Sequence, residues 1–207
     1  MSATLAGLDG ARIDGGWYTT VTDFARDTHW LNEPLRAWSD YGAFFFGLLL
    51  VLGWFGARRA DARTMAGALS AILGVALAYA ADALIKEIVR EPRPCRALPH
   101  DFQVEACPAP SDYAFPSNHA TFAFAAAAAL LLVNRRLGWI AAVAAVLMAF
   151  ARVYVGAHYP HDVIAGALLG ILVAVATVRT GRRLGAPVVE RLRAGPLRPL
   201  VGSGPRS

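Results

Sequence analysis

Five apolar runs, separated by short polar turns, restrict the fold of this chain more than any other feature. A helix of about 20 apolar residues is long enough to cross the hydrocarbon core of a lipid bilayer. Because the backbone finds no water to bond with there, each crossing segment must be helical. The sequence therefore predicts an all-α, integral-membrane helical bundle of about five transmembrane helices, with spans near residues 41–57, 64–85, 117–133, 137–154 and 160–178.

The runs divide the chain into three regions. Residues 1–40 mix polar and aromatic side chains, which predicts an N-terminal interfacial helix at the membrane surface, interrupted by Pro34. Residues 41–180 form the predicted transmembrane domain. Residues 181–207 are rich in Arg, Gly and Pro, and this composition predicts a disordered basic tail.

The charged residues are few and scattered. Hydrophobic residues make up 56% of the chain and charged residues 17%, with a formal net charge of +5. The basic residues lie in short clusters between the apolar runs and do not form one continuous patch. This distribution is typical of a protein whose partner is the lipid bilayer, and it argues against a nucleic-acid partner.

The arginine clusters also predict the orientation. The turns after the first and third spans and the tail after the fifth are basic, and with five spans all three fall on one side. Basic segments of this kind stay in the cytoplasm, which places the C-terminus there and the N-terminus outside. The polar segments 86–119 and 152–162 then meet on the outer face of the membrane.

This orientation bears on the two cysteines. Cys95 and Cys107 lie in the same predicted loop, and an extracytoplasmic loop permits disulfide formation. We therefore favour a Cys95–Cys107 bridge over two unpaired thiols. Such a bridge would stiffen the loop that carries Arg93 and leads to Ser117.

Three cations without evident partners lie near this face. They are Lys86, the only lysine of the chain, with Arg93 and Arg152. The planar guanidinium fork suits phosphate oxygens, and the ammonium adds a point charge. Ser117 is expected to cap the start of an apolar helix, where free backbone N–H groups favour anions. These residues predict a phosphate site, although cations near a membrane can also extend towards lipid head groups.

Two histidines supply groups for chemistry on phosphate. Asp162 follows His158 by four residues, so its carboxylate can bond one imidazole nitrogen and leave the other free. A neutral imidazole held in this way can attack phosphorus and form a phosphohistidine. His119, at another helix start, is placed to protonate the leaving oxygen and then to activate water.

A metal mechanism is the alternative. His119, His158, His161 and Asp162 include residue types that bind zinc. Three nearby cations would repel a divalent ion, so the sequence favours hydrolysis without a metal or another cofactor.

The remaining charged groups of these segments have no predicted catalytic role. We predict that His161 is a solvated loop histidine. Glu87 and Glu91 are predicted to lie at the membrane interface, where they either contact the substrate or only face solvent.

These motifs together resemble the type 2 phosphatidic acid phosphatase superfamily. Its pattern is Lys, six residues and Arg-Pro; then Pro-Ser-Gly-His; then Ser-Arg, five residues, His, three residues and Asp. This chain carries the three motifs in that order at Lys86–Pro94, Pro116–His119 and Ala151–Asp162. Two positions depart from the pattern: Asn118 replaces glycine, and Ala151 replaces serine with the loss of a hydroxyl.

The resemblance implies a role for each matching residue. His158 is the implied nucleophile, Asp162 its orienting carboxylate and His119 the general acid. The implied phosphate-binding residues are Lys86, Arg93, Ser117, Asn118 and Arg152.

Within the superfamily, the Glu-Pro-Arg-Pro turn and the five-span layout resemble bacterial undecaprenyl diphosphatases of the bacitracin-resistance type. These enzymes act in the bacterial plasma membrane and recycle the lipid carrier of cell-wall synthesis. The implied substrate is undecaprenyl diphosphate. Phosphatidylglycerol phosphate, phosphatidic acid and other prenyl phosphates are alternatives, and a transporter of anions or phospholipids is an alternative of another class.

Overall fold

The computed structural model describes residues 9–204, which form helices joined by loops and no β-strand. The first residues of the predicted interfacial segment, 1–8, and the last of the predicted tail, 205–207, lie outside this range. The helices are α1 (Gly10–Asp27), α2 (His29–Ala57), α3 (Ala62–Val89), α4 (Pro94–Ala97), α5 (Asn118–Val133), α6 (Arg135–Tyr154), α7 (Pro160–Leu184), α8 (Ala186–Ala194) and α9 (Arg198–Val201).

Four of these helices, α2, α3, α6 and α7, are long and apolar enough to cross a membrane. Helix α5 is also apolar, but it has only 16 residues. Large apolar side chains cover the outside of the bundle, and Phe44, Val143 and Leu172 are each more than 60% exposed. Lipid tails are the environment in which such a surface is stable. The predicted all-α membrane bundle is therefore confirmed.

Within the N-terminal segment, residues 10–27 form the amphipathic helix α1, which is kinked at Asp14. Helix α1 buries Tyr18 and Ala25 against α6 and α7 and exposes Trp17 and Phe24. Exposed aromatic rings of this kind suit the membrane surface.

The prediction that Pro34 breaks the segment is wrong, because α2 begins at His29 and runs through Pro34 without interruption. Proline removes one intrahelical hydrogen bond near the helix start, and the burial of Leu35 and Ser39 just beyond it offsets that loss.

The predicted disorder of the tail is wrong for most of its length, since α8 and α9 form there. The reason is that apolar residues alternate with the arginines. Val189 and Val201 are buried in a small cluster with Met65 of α3. Arg193 donates to the backbone oxygen of Ala60 at 2.8 Å, which fixes the tail beneath the α2–α3 turn.

Two glycines bring α5 and α7 into backbone contact. A Cβ at Gly166 would lie 2.6 Å from the Ser117 oxygen, and one at Gly170 would lie 2.3 Å from the Thr121 oxygen. Small residues four apart allow this close approach between membrane helices.

The same close packing brings the polar motifs together. Ser117 N–H donates to the Asp162 oxygen at 3.0 Å, which joins the start of α5 to the start of α7. The C-termini of α3 and α6 lie at this same end of the bundle, because successive membrane helices run in opposite directions. All three sequence motifs therefore meet there, as the sequence predicted.

Candidate active site

A cavity of about 890 Å³ opens at this end of the bundle and has two chemically different halves. One half is an apolar groove between α2 and α3. The other half is polar, and its lining residues are Arg93, Glu105, Asp112, Asn118, His119, Arg152 and His158. Five of the eight predicted catalytic and phosphate-binding residues thus line one cavity.

Arg93 lies immediately before α4 and is held by several acceptors. Its Nη1 donates to the Ala157 oxygen at 2.8 Å and lies 2.9 Å from His158 Nε2. Its Nη2 forms an ion pair with Asp112 Oδ1 at 2.7 Å. The side chain is only 8% exposed, so the guanidinium has a fixed position.

Arg152, near the end of α6, is the second guanidinium. Its Nη1 donates to Ser39 Oγ and to Glu105 Oε2, the latter at 2.9 Å. Its Nε is buried and has no hydrogen-bond partner among the described residues. Arg152 lines the cavity, where phosphate oxygens suit the donors that its guanidinium presents.

The contacts of His158 define its tautomer. A guanidinium only donates hydrogen bonds, so Nε2 must present its lone pair to Arg93 and the ring proton lies on Nδ1. Nδ1 faces Asp162 Oδ2 at 3.4 Å. Burial lowers the pKa of His158 well below its ordinary value, and Arg93 and Arg152 lower it further. The imidazole is therefore neutral at physiological pH.

Asp162 does two things with one oxygen. Its Oδ2 accepts the backbone N–H of Tyr159 at 2.9 Å, which caps the first turn of α7, and it also faces the His158 ring. The side chain is fully buried and does not touch the cavity. Its position thus suits orientation of the imidazole and not contact with a ligand.

The start of α5 completes the polar half. Asn118 and His119 line the cavity, while Ser117, at the N-cap position, is fully buried behind them. The Ser117 hydroxyl and the Asn118 side-chain oxygen have no hydrogen-bond partners among residues 9–204. The free N–H groups of this helix end favour an anion in the cavity.

Lys86 is placed differently from the prediction. Its Nζ donates to three backbone oxygens, those of Tyr113 at 2.8 Å, Ala114 at 3.3 Å and Pro116 at 2.8 Å. An ammonium group has three donors, so this set saturates it. In this arrangement Lys86 fixes the backbone that leads to Ser117, and the side chain is not part of the cavity wall.

His161 is the residue that sequence reasoning missed. Its Nδ1 lies 2.8 Å from Asp14 of α1, and its Nε2 lies 3.1 Å from both oxygens of Glu91. Its ring stacks between Phe115 and Tyr159. The interpretations of His161 as a solvated histidine and of Glu91 as interfacial are therefore wrong, since Glu91 is fully buried.

The sequence carries no local signal that marks this cluster. Asp14 lies in a region of many acidic residues, and nothing in its local sequence separates it from them. In the structure the backbone of α1 leaves helical geometry at Asp14, where the carboxylate reaches both the N–H and the ring of His161. Glu87, in contrast, remains exposed beside Arg90.

Three of these groups could hold a metal ion. Glu91, His161 and Asp162 each offer one ligand atom, and these atoms lie within 4.8 Å of one another. The set lies behind His158 and outside the cavity, and it shares only Asp162 with the predicted catalytic residues.

The loop between α3 and α5 carries the disulfide. Cys95 and Cys107 are bonded, with Cα atoms 5.8 Å apart. The loop is also tied to the end of α6, because Val104 and Glu105 N–H groups both donate to the Val155 oxygen at 3.1 and 3.0 Å. Its polar side chains are thereby held over the cavity.

The family model described as the PAP2 superfamily matches residues 67–185, a range that contains all three motifs. The chain belongs to the PAP2 superfamily. The resemblance inferred from the motifs is confirmed, and at the level of the family the chain is a multi-pass membrane lipid phosphatase.

Individual relatives differ in what their names describe. Undecaprenyl-diphosphatase BcrC of Bacillus subtilis (strain 168) is 32% identical over 136 residues, which cover 65% of this chain and 67% of that protein. Decaprenylphosphoryl-5-phosphoribose phosphatase of Mycobacterium tuberculosis (strain ATCC 25618 / H37Rv) is 37% identical over 155 residues, covering 72% and 80%.

A solved structure has the same fold. The crystal structure of the transmembrane PAP2 type phosphatidylglycerolphosphate phosphatase from Bacillus subtilis matches with a TM-score of 0.60. The match covers 82% of this chain and 87% of that one, at 24% sequence identity. At this identity the similarity concerns the fold.

Proposed function

We propose that this PAP2 protein hydrolyses undecaprenyl diphosphate to undecaprenyl phosphate and inorganic phosphate through a phosphohistidine intermediate. The observation that carries the proposal is the orientation of His158. Arg93 binds its Nε2 lone pair, and Asp162 faces the protonated Nδ1. When phosphate oxygens enter and accept the Arg93 Nη1 hydrogen, the bond to His158 breaks, and the freed Nε2 lone pair can attack the phosphorus atom that the same guanidinium holds.

The first step forms a bond between His158 Nε2 and the terminal phosphorus. The bond from that phosphorus to the bridging oxygen breaks, and His119, which is protonated once the diphosphate anion has bound beside it, donates that proton to the departing lipid phosphate. Arg93, Arg152 and the N–H groups at the start of α5 stabilise the charge on the transferred phosphoryl group.

The second step reverses the role of His119. The imidazole takes a proton from water, the resulting oxygen attacks phosphorus, and the N–P bond to His158 breaks. Inorganic phosphate then leaves, and both histidines return to their starting states. The scheme uses no metal ion, which makes chelation an informative test.

The apolar half of the cavity supports a lipid substrate with a long tail. Ala43, Gly47 and Val51 of α2 face Ile72 and Ala76 of α3 across the groove. The same cavity is lined by Arg93, Arg152 and His158 in its polar half. We propose that the prenyl tail occupies the groove while the diphosphate reaches His158 and the arginines.

The names of the relatives favour a polyprenyl substrate. One relative is named for an undecaprenyl lipid and another for a decaprenyl lipid, and both lipids carry a phosphate on a long isoprenoid chain. A prenylphosphoryl sugar phosphate is therefore the second candidate substrate. Phosphatidylglycerol phosphate, which the name of the structural neighbour contains, is a third candidate.

A direct assay separates these substrates. The purified protein in detergent is offered undecaprenyl diphosphate, decaprenylphosphoryl-5-phosphoribose and phosphatidylglycerol phosphate, and phosphate release is measured with and without EDTA. We expect EDTA-resistant turnover of the diphosphate at the highest kcat/KM. Preference for either other lipid would replace the proposed substrate, and loss of activity in EDTA would replace the metal-free scheme.

The phosphohistidine needs a separate test. Substrate labelled with ³²P in the terminal phosphate is mixed with the protein, the reaction is stopped in alkali, and protein-bound label is measured. We expect label that is stable in alkali and released by acid in the wild type, and no label in His158→Ala. A His158→Ala variant that still turns over substrate would contradict the role of nucleophile.

The membrane orientation also belongs to the proposal. We propose that the site faces the outside of a bacterial plasma membrane. Phosphate would then be released outside the cell, and the carrier lipid would be recycled for cell-wall synthesis. After reduction, an impermeant thiol reagent added to intact cells should label Cys95 and Cys107. Labelling only after the cells are opened would reverse the orientation.

A further inference from the structure

Both guanidiniums of the phosphate site are paired with carboxylates of the disulfide-bonded loop. Asp112 Oδ1 lies 2.7 Å from Arg93 Nη2, and Glu105 Oε2 lies 2.9 Å from Arg152 Nη1. Neither carboxylate belongs to a family motif, and both line the polar half of the cavity.

The two partners of each ion pair differ in how firmly they are held. The arginine side chains are 8% and 4% exposed, and each has further buried acceptors, the Ala157 oxygen for Arg93 and Ser39 for Arg152. The carboxylates of Asp112 and Glu105 are 45% and 30% exposed. The arginines are therefore fixed, whereas the carboxylates can rotate into solvent.

A bound phosphate competes with these carboxylates. Carboxylate and phosphate oxygens accept the same guanidinium hydrogens, and two anions on one guanidinium repel each other. The backbone of the loop cannot move far, since the disulfide and the bonds to Val155 hold it. Side-chain rotation is the remaining way to free the arginines.

We propose that Glu105 and Asp112 form a displaceable carboxylate latch on the phosphate site. They occupy the arginines in the unliganded enzyme, rotate away when the phosphate group enters, and return to help expel inorganic phosphate after the phosphohistidine is hydrolysed. The latch rests on the proposed function of the site, and it concerns affinity for phosphate and not the chemical step.

The test measures binding of inorganic phosphate to the purified protein without lipid substrate. Glu105→Gln and Asp112→Asn keep the shape of each side chain and remove its charge. We expect each variant to bind phosphate at least about threefold more tightly, since a partly exposed ion pair that competed with phosphate is lost. Product inhibition by phosphate should strengthen by the same factor in the turnover assay.

Glu87→Gln provides the matched control. Glu87 is an exposed carboxylate at the same end of the bundle, paired with Arg90, and it does not line the cavity. The Glu87→Gln substitution removes the same charge from the same surface. Its phosphate affinity should equal that of the wild type, which separates the latch from a general change in surface charge.

Two results would overturn the latch. Weaker phosphate binding in Glu105→Gln and Asp112→Asn would mean that the carboxylates position the arginines, and unchanged binding would mean that they do not compete. Either result leaves the phosphate site intact. If neither the wild type nor any variant binds phosphate, the latch fails, and turnover of undecaprenyl diphosphate by the same preparation decides separately whether the proposed function stands.

Discussion

The polar and apolar halves of the cavity are built on opposite principles. In the polar half, directed contacts fix the two arginines and His158, as Arg93 is fixed by Ala157 and His158. In the apolar half, the space exists because side chains are missing: a Cβ added at Gly47 would meet no atom within 4 Å. Small changes of position should therefore disturb the polar half, whereas only added volume should disturb the groove.

The largest expected effect is at the nucleophile. His158→Ala should lower kcat by at least about 10³-fold while phosphate still binds, because only the attacking atom is lost. Steady-state turnover and phosphate binding are measured on the same preparation. His100→Ala, which removes an exposed histidine of the loop, should retain wild-type turnover. Joint loss of turnover and binding in His158→Ala would indicate damage to the whole polar half.

A change of geometry at constant charge should have the next largest effect. Arg152→Lys keeps the cation and removes the planar fork, so we expect kcat/KM to fall by about 10²-fold. Arg136→Lys, on an exposed arginine at the opposite end of the bundle, should leave kcat/KM unchanged. Full activity of Arg152→Lys would mean that the site needs charge alone, and the contrast between the two halves would disappear.

Filling the groove should separate tail binding from chemistry. Gly47→Phe should raise KM for undecaprenyl diphosphate by about tenfold and leave kcat/KM for a short-chain prenyl diphosphate unchanged. Gly56→Phe adds the same ring on the same helix, also where no atom lies within 4 Å, but away from the groove. Equal behaviour of the two variants would place the tail elsewhere.

The smallest effect on turnover is expected from the disulfide. Replacing both Cys95 and Cys107 with serine removes a cross-link with a sequence separation of 12. Closure of a loop of this size stabilises the folded state by about 3 kcal/mol, so the unfolding midpoint should fall while turnover changes only severalfold. The wild type under reducing conditions should show the same lower midpoint. A loss of turnover as large as that of Arg152→Lys would assign the loop a direct part in catalysis.

The sequence predicted the helices and the meeting of the three motifs because the bilayer imposes a length on apolar runs. It failed where tertiary contacts decide local structure. Pro34 lies inside α2 because burial beyond it outweighs one lost hydrogen bond, and α8 forms because Val189 finds an apolar site on the bundle.

In the site, the sequence motifs predicted which residues share a cavity better than they predicted the contacts of those residues. His119, His158 and the two arginines reach one cavity, as expected from their motifs. The saturation of Lys86 by three backbone oxygens could not be predicted, because it depends on the path of the loop from 113 to 116. The pairing of Asp14 with His161 likewise depends on how α1 packs against α7.

The close contact at Gly166 and Gly170 also fixes a distance within the site. It sets the separation of α5 and α7, and these helices carry His119 and the segment of His158 respectively. A single methyl group at Gly166, buried within the membrane bundle, would push His119, the proposed proton donor, away from His158, the proposed nucleophile. The distance between the His119 and His158 imidazoles, which the proposed mechanism depends on, is thus set in the interior of the bundle by two residues that carry no functional group.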